Sequence, residues 1–139
     1  SYSVTGVQTC ALPISSREVL ADVEALQAIE TALRAQGVAY QLTKTWTTDA
    51  FYRETPAKVR KYRAEGCLAV EMEAAAFMAV AQFRGARFGM LLYGGDLVQV
   101  EGWDHRDWHN RTEIRENLFW LAAEACLNLK INPTGETYA

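Results

Sequence analysis

The stretch Val70-Glu71-Met72-Glu73-Ala74-Ala75-Ala76 decides the reading of this chain. A short apolar run, Cys67 to Val70, enters it as a buried strand, and a small-residue segment, Ala74 to Arg84, leaves it as a helix. Two carboxylates separated by one methionine therefore sit where a strand ends and a helix begins. In an α/β sheet that edge is where ligands bind. Acceptor-only side chains placed there suit a ligand rich in hydroxyl donors, such as a sugar. The same residues also read as acidic groups stabilising a helix N-terminus against its dipole. The stretch alone does not choose between the two.

Working outward, Ser15 and Glu18 have the spacing of a capping box. Val19, Leu20, Val23, Leu26, Ile29 and Leu33 then recur at three- and four-residue steps and predict an amphipathic helix ended by Gly37. Val38, Tyr40, Leu42 and Trp46 alternate with mostly small or polar residues, the pattern of a strand. It runs into the polar turn Thr47-Thr48-Asp49, with Phe51 and Tyr52 on the loop beyond. Thr55-Pro56 predicts a helix start and Gly66 its end. Lys58, Arg60, Lys61 and Arg63 on that helix are expected to form a solvated face.

Downstream, Gly85 closes the central helix, and Phe88 to Tyr93 predicts a strand covered on both faces. That strand stops at Gly94-Gly95-Asp96. Leu97 to Asn110 has no clear period and predicts a long loop. Thr112 to Lys130 predicts the last helix, with Ile114, Leu118, Leu121, Ala125 and Leu129 on one face, before a frayed tail from Asn132. The alternation of helices and strands predicts an α/β, three-layer fold, a central mixed or mostly parallel sheet flanked by helices.

Composition narrows the function. The 139 residues are 50% hydrophobic and 22% charged, enough for one compact domain with a core. A formal net charge of −3 gives no electrostatic support for binding nucleic acid or an anionic membrane. Three cysteines, Cys10, Cys67 and Cys126, lack the spacing of a zinc site or a disulfide scaffold, which fits free thiols in a reducing, cytoplasmic setting. No apolar run is long enough to span a bilayer.

With Asp49, Phe51, Glu71, Glu73 and Asp96 all at strand ends, the resemblance becomes specific. Val70-Glu71-Met72-Glu73-Ala74-Ala75 resembles the signature of the nucleoside phosphorylase superfamily, which includes purine nucleoside phosphorylases, uridine phosphorylases and related nucleosidases. Asp96 lies twenty-five residues after Glu71, and Phe51 twenty before it, both in the family's register. The similarity runs without a gap from about Asp49 to Asp96 and more loosely to Leu129. It implies cleavage of an N-glycosidic bond through an oxocarbenium-like sugar. On that resemblance Glu73 accepts hydrogen bonds from the ribose hydroxyls, Met72 packs on the sugar face and Phe51 stacks on the base. Asp96 donates a proton or hydrogen bond to the departing base, so it must hold a proton part of the time, which burial or nearby negative charge favours. Glu71 falls to structural or indirect support. Asp49 borders the site, and Arg106 and Arg111 are candidates to assist Asp96. Taken singly, Phe51 also fits a core aromatic, Asp96 a turn residue, and the arginines solvated charge. His105 and His109, four apart, could bind a metal on a helix, but neither the loop nor the resemblance implies one.

Two features depart from the family pattern. Val4 to Ile14 resembles the translation of a common short-read sequencing adapter, so residues 1–14 are expected to be a non-native leader and residues 15–139 the C-terminal part of a longer domain. The glycine-rich loop and arginines that form the family's phosphate site have no counterpart in residues 15–139. The reading is therefore a nucleoside phosphorylase, acting on a purine or uridine nucleoside with inorganic phosphate as co-substrate and no other cofactor, in a chain that lacks the phosphate-binding half and is inactive or nearly so alone. The alternatives are a nucleosidase using water and a non-catalytic nucleoside-binding module. Family members form dimers that assemble into hexamers, so a homo-oligomer is expected of the parent protein.

Overall fold

A computed structural model describes residues 5–6 and 18–129. Ser15 of the expected capping box, most of the expected leader, Cys10 and the tail from Asn132 lie outside the described residues. The elements run β1 (Thr5–Gly6), α1 (Val23–Ala35), β2 (Gln41–Leu42), β3 (Lys44–Thr47), α2 (Pro56–Ala64), β4 (Cys67–Glu71), α3 (Ala74–Arg84), β5 (Leu97–Gln99), β6 (Gly102–Asp104) and α4 (Thr112–Asn128). Short 3₁₀ turns occupy Phe51–Arg53 and Trp108–Asn110.

Helix α1 starts later than the sequence pattern predicts. Asp22 is its N-cap, its carboxylate accepting the Ala25 N–H at 2.8 Å. Glu18 instead pairs with the Lys44 ammonium at the start of β3. Helix α2 begins as expected at Thr55, whose hydroxyl accepts the Lys58 N–H at 3.4 Å, with proline at the first turn. Helix α3 ends at Gly85, which takes the left-handed φ of 61° that glycine adopts without strain.

The described strands form three separate two-stranded pairings in place of the single central sheet expected. β1 pairs with β2 and β3 with β4, both parallel, while β5 and β6 are antiparallel. The expected continuous strand from Val38 to Trp46 is broken at Thr43, and the β3–β4 register shifts between Lys44 and Thr45. The predicted long loop after Asp96 contains the β5–β6 hairpin, whose tight connection places Gly102 at φ 122°.

Residues 88–93 are not assigned to a strand, yet their side chains alternate as in one. Phe88 and Met90 pack on the cluster of Ala21 and Met78. Leu91 packs on the other side, against Ile29, Ala32, Leu33 and Ala125 of α1 and α4. Gly89 lies on that second side, where an added Cβ would sit 2.7 Å from Ile29 Cδ1 and 3.2 Å from Ala25 Cβ, so a side chain here would require Ile29 and its neighbours to shift. Arg87 fixes the entry of this segment, its guanidinium donating to Asp22 at 3.0 Å and Glu24 at 2.9 Å. Extended chain is thus covered on one side by α1 and α4 and on the other by α3, a mixed α/β arrangement. Among the described residues no helix is long and apolar enough to cross a membrane.

Candidate functional site

The parallel pairing of β3 with β4 sets Thr47 opposite Glu71, so both strands deliver their C-terminal ends to one edge. The backbone continues the pairing past the strands, with Thr48 N–H donating to the Glu71 carbonyl at 2.8 Å. Beyond β4 the chain turns directly into α3, whose first N–H groups have no partner within the helix. Glu71 meets that need. One carboxylate oxygen, Oε2, accepts the N–H groups of Glu73, at 2.7 Å, and of Ala74. The other, Oε1, accepts the Thr47 hydroxyl, and Thr47 Oγ1 in turn accepts the Ala75 N–H at 3.1 Å.

Glu73 is placed differently. Its side chain is exposed, and among the described residues its carboxylate accepts the N–H of its neighbour Met72, at 3.2 Å. Met72 is exposed beside it. On the adjoining strand end, Phe51 is 76% exposed and meets Tyr52 edge to face, their ring centres 5.5 Å apart. A large aromatic ring left this open is not a core residue, so the burial reading of Phe51 fails here. Asp49 forms an ion pair with Arg53 across the 3₁₀ turn.

Asp96 follows the extended 88–93 segment. Its carboxylate accepts the Trp103 indole N–H at 2.6 Å from the β5–β6 hairpin. Neither candidate arginine has a hydrogen bond or ion pair with it. Arg106 pairs with Asp104 at 3.5 Å, and Arg111 donates to the Arg106 carbonyl at 3.3 Å. Arg63, expected on a solvated face, reaches from α2 to donate to the Val98 carbonyl at 2.9 Å. It thereby ties α2 to the strand that begins one residue after Asp96. The His105 and His109 rings lie 5.0 Å apart, and among the described residues no group of three metal-ligating side chains converges.

Glu54 enters the site unannounced by the sequence pattern. In a run where Phe51 to Arg53 and Thr55 to Ala57 are all exposed, it alone is half-buried. Burial pushes its carboxyl up from the ordinary 4.5, and the negative charge of Asp96 pushes it further. The folded chain therefore keeps this proton to a higher pH than the unfolded chain does. Its contribution to stability is fully present below pH 4.5 and is lost as pH rises through the folded value. Glu54→Gln should flatten that part of the profile, read as the urea midpoint against pH. An unchanged profile would show that neither burial nor Asp96 raises Glu54 in the folded chain. Thr47 and Trp103 were likewise missed. Thr47 carried a signal in hindsight, a hydroxyl ending the strand beside the carboxylate pair, whereas nothing in the sequence ties Trp103 to Asp96.

Residues 3–128 match the sequence model of the family described as the Phosphorylase superfamily. Among solved structures, the chain is similar to the crystal structure of AMP nucleosidase from Bacteroides thetaiotaomicron, with a TM-score of 0.66 and 21% sequence identity. That alignment covers 94% of this chain and 56% of the nucleosidase chain, so the chain spans little more than half the length of the protein it matches.

Proposed function

This chain belongs to the phosphorylase superfamily, a family of enzymes that cleave glycosidic bonds, and on that premise we propose that it supplies the ribose and base side of a nucleoside phosphorylase site. The observation that carries the reading is the division of labour at the end of β4. Glu71 is committed to the α3 N-terminus, and the Glu73 carboxylate two residues on is exposed and open to a ligand.

In this reaction a phosphate oxygen bonds to C1′ of the sugar, the N-glycosidic bond breaks, and its electron pair leaves with the base. Glu73 accepts the ribose hydroxyls through charge-assisted hydrogen bonds, which hold the sugar as positive charge develops on its ring. Phe51 offers an open aromatic face to the base. Asp96 gives the departing base a proton or a hydrogen bond. Proton donation to a ring nitrogen suits a purine. Water in place of phosphate would give a nucleosidase, the activity named for the structural relative.

The test follows free-base release from inosine, adenosine and uridine, with and without phosphate, by the 139-residue chain and by its full-length gene product. Phosphate-dependent release supports the phosphorylase reading, with adenosine or inosine preferred over uridine. Release indifferent to phosphate points to a nucleosidase. Nucleoside binding with no release from the full-length protein would overturn an enzymatic role.

A further inference from the structure

We propose that Thr47 is a positioning residue that determines which of the two carboxylates meets the sugar. The inference rests on the proposed nucleoside site and concerns a residue that would not itself touch the substrate. Thr47 Oγ1 donates to Glu71 Oε1 and accepts the Ala75 N–H at 3.1 Å. Only a hydroxyl can do both at once, since it is one donor with two acceptor lone pairs. Glu71 is consequently held by three donors, the Thr47 hydroxyl and the N–H groups of Glu73 and Ala74. Its two oxygens are turned onto the helix start and away from competition for a ligand.

The position of Glu73 follows from this clamp. Its own N–H is one of the groups that Glu71 holds, so the backbone carrying the sugar-binding carboxylate is fixed through Glu71 and, behind it, through Thr47. Valine at position 47 keeps the shape of the side chain but removes the hydroxyl. The Ala75 N–H and one Glu71 oxygen then lose this shared partner, and because both bonds are exposed water takes its place, so what is lost is the fixed geometry of the clamp. Glu71 is then held through one oxygen alone, its other oxygen is free to compete for the sugar hydroxyls, and the Glu73 backbone is held less firmly. The sugar should notice most at its 2′-hydroxyl. A ribonucleoside and its 2′-deoxy counterpart differ only there, so their ratio reports the placement of the acceptor while cancelling general losses of folding or base binding.

The experiment compares the parent with Thr47→Val and Thr47→Ser by two readouts. The first is amide hydrogen exchange at Glu73, Ala74 and Ala75 in the chain. The second is kcat/KM for adenosine against 2′-deoxyadenosine in the full-length gene product. Thr47→Val should speed exchange at Ala75 and lower the ribo-to-deoxy preference roughly tenfold, the effect of about one charge-assisted hydrogen bond. Thr47→Ser, which keeps the hydroxyl, should restore both. A Thr47→Val protein with an unchanged preference, or a Thr47→Ser protein that behaves like valine, overturns the proposal. If the parent turns over neither nucleoside, the proposed function fails instead, and the exchange readout still decides whether the clamp exists.

Discussion

Glu73→Ala is expected to weaken nucleoside binding at least ~100-fold while shifting stability by no more than about 0.5 kcal/mol. The two halves of that expectation come from different contacts. Two hydroxyl-to-carboxylate hydrogen bonds are worth roughly 1.5–3 kcal/mol each when one partner is charged, so losing both removes about two orders of magnitude or more in affinity. The fold has little to lose. Glu73 is exposed, and the N–H groups that open α3 are capped by Glu71 and Thr47, leaving the Glu73 carboxylate, among the described residues, the Met72 N–H at 3.2 Å. Calorimetric titration with inosine and adenosine, beside a urea unfolding curve, separates the two. Equal affinity in the parent and the variant would remove Glu73 from the site. A large loss of stability would show that both carboxylates serve the helix.

How much of this was legible beforehand depends on the range of the interaction. Local chemistry was readable: Thr55-Pro56 starts α2, Gly85 ends α3, and the strand-to-helix seam at Glu71 to Ala74 is where the sequence put it. Of the two readings first set against each other, the seam shows helix capping, and it falls to Glu71 while the Glu73 carboxylate is exposed, a division that composition and spacing cannot make because it depends on Thr47 from a neighbouring strand. The α1 start was misplaced because a capping box at Ser15 and an N-cap at Asp22 look alike without knowing that Arg87 also reaches Asp22. Residues 88–93 kept their two-faced burial but not a strand assignment, since apolar alternation reports packing and says nothing of ladder hydrogen bonds. Glu54 and Trp103 were illegible for the same reason as Thr47. Their importance lies in meeting Asp96, Glu54 from a distant part of the chain and Trp103 by the folding back of the β5–β6 hairpin, and a charged or aromatic residue in a polar loop carries no mark of that.

Leu33→Ala should destabilise the chain by roughly 3–5 kcal/mol, a large share of the ~5–15 kcal/mol typical of a whole domain. Leu33 is 1% exposed and sits where α1 meets α4, among Ile29, Ala32 and Ala125, with Leu91, Leu118 and Leu121 packed around it. Ala32 and Ala125 are small, which lets the two helices come close, but they cannot swing into a void left by a truncated leucine. The cavity would therefore persist, and the cost should fall toward the upper part of that range. Leu33→Met, which keeps the volume, should cost less than about 1.5 kcal/mol. The comparison is read from urea midpoints at constant m-value. A loss below about 1 kcal/mol for alanine would mean the α1–α4 contact is looser than its burial indicates. The consequence reaches the site, because Leu91 belongs both to this cluster and to the extended segment that ends at Gly94-Gly95-Asp96. Loosening the core frees the chain that delivers Asp96, whereas Glu73, carried by β4 and the capped start of α3, keeps its support. On the proposed function, the full-length protein carrying Leu33→Ala should slow at the step that depends on proton donation more than its sugar binding weakens, lowering kcat with little change in KM.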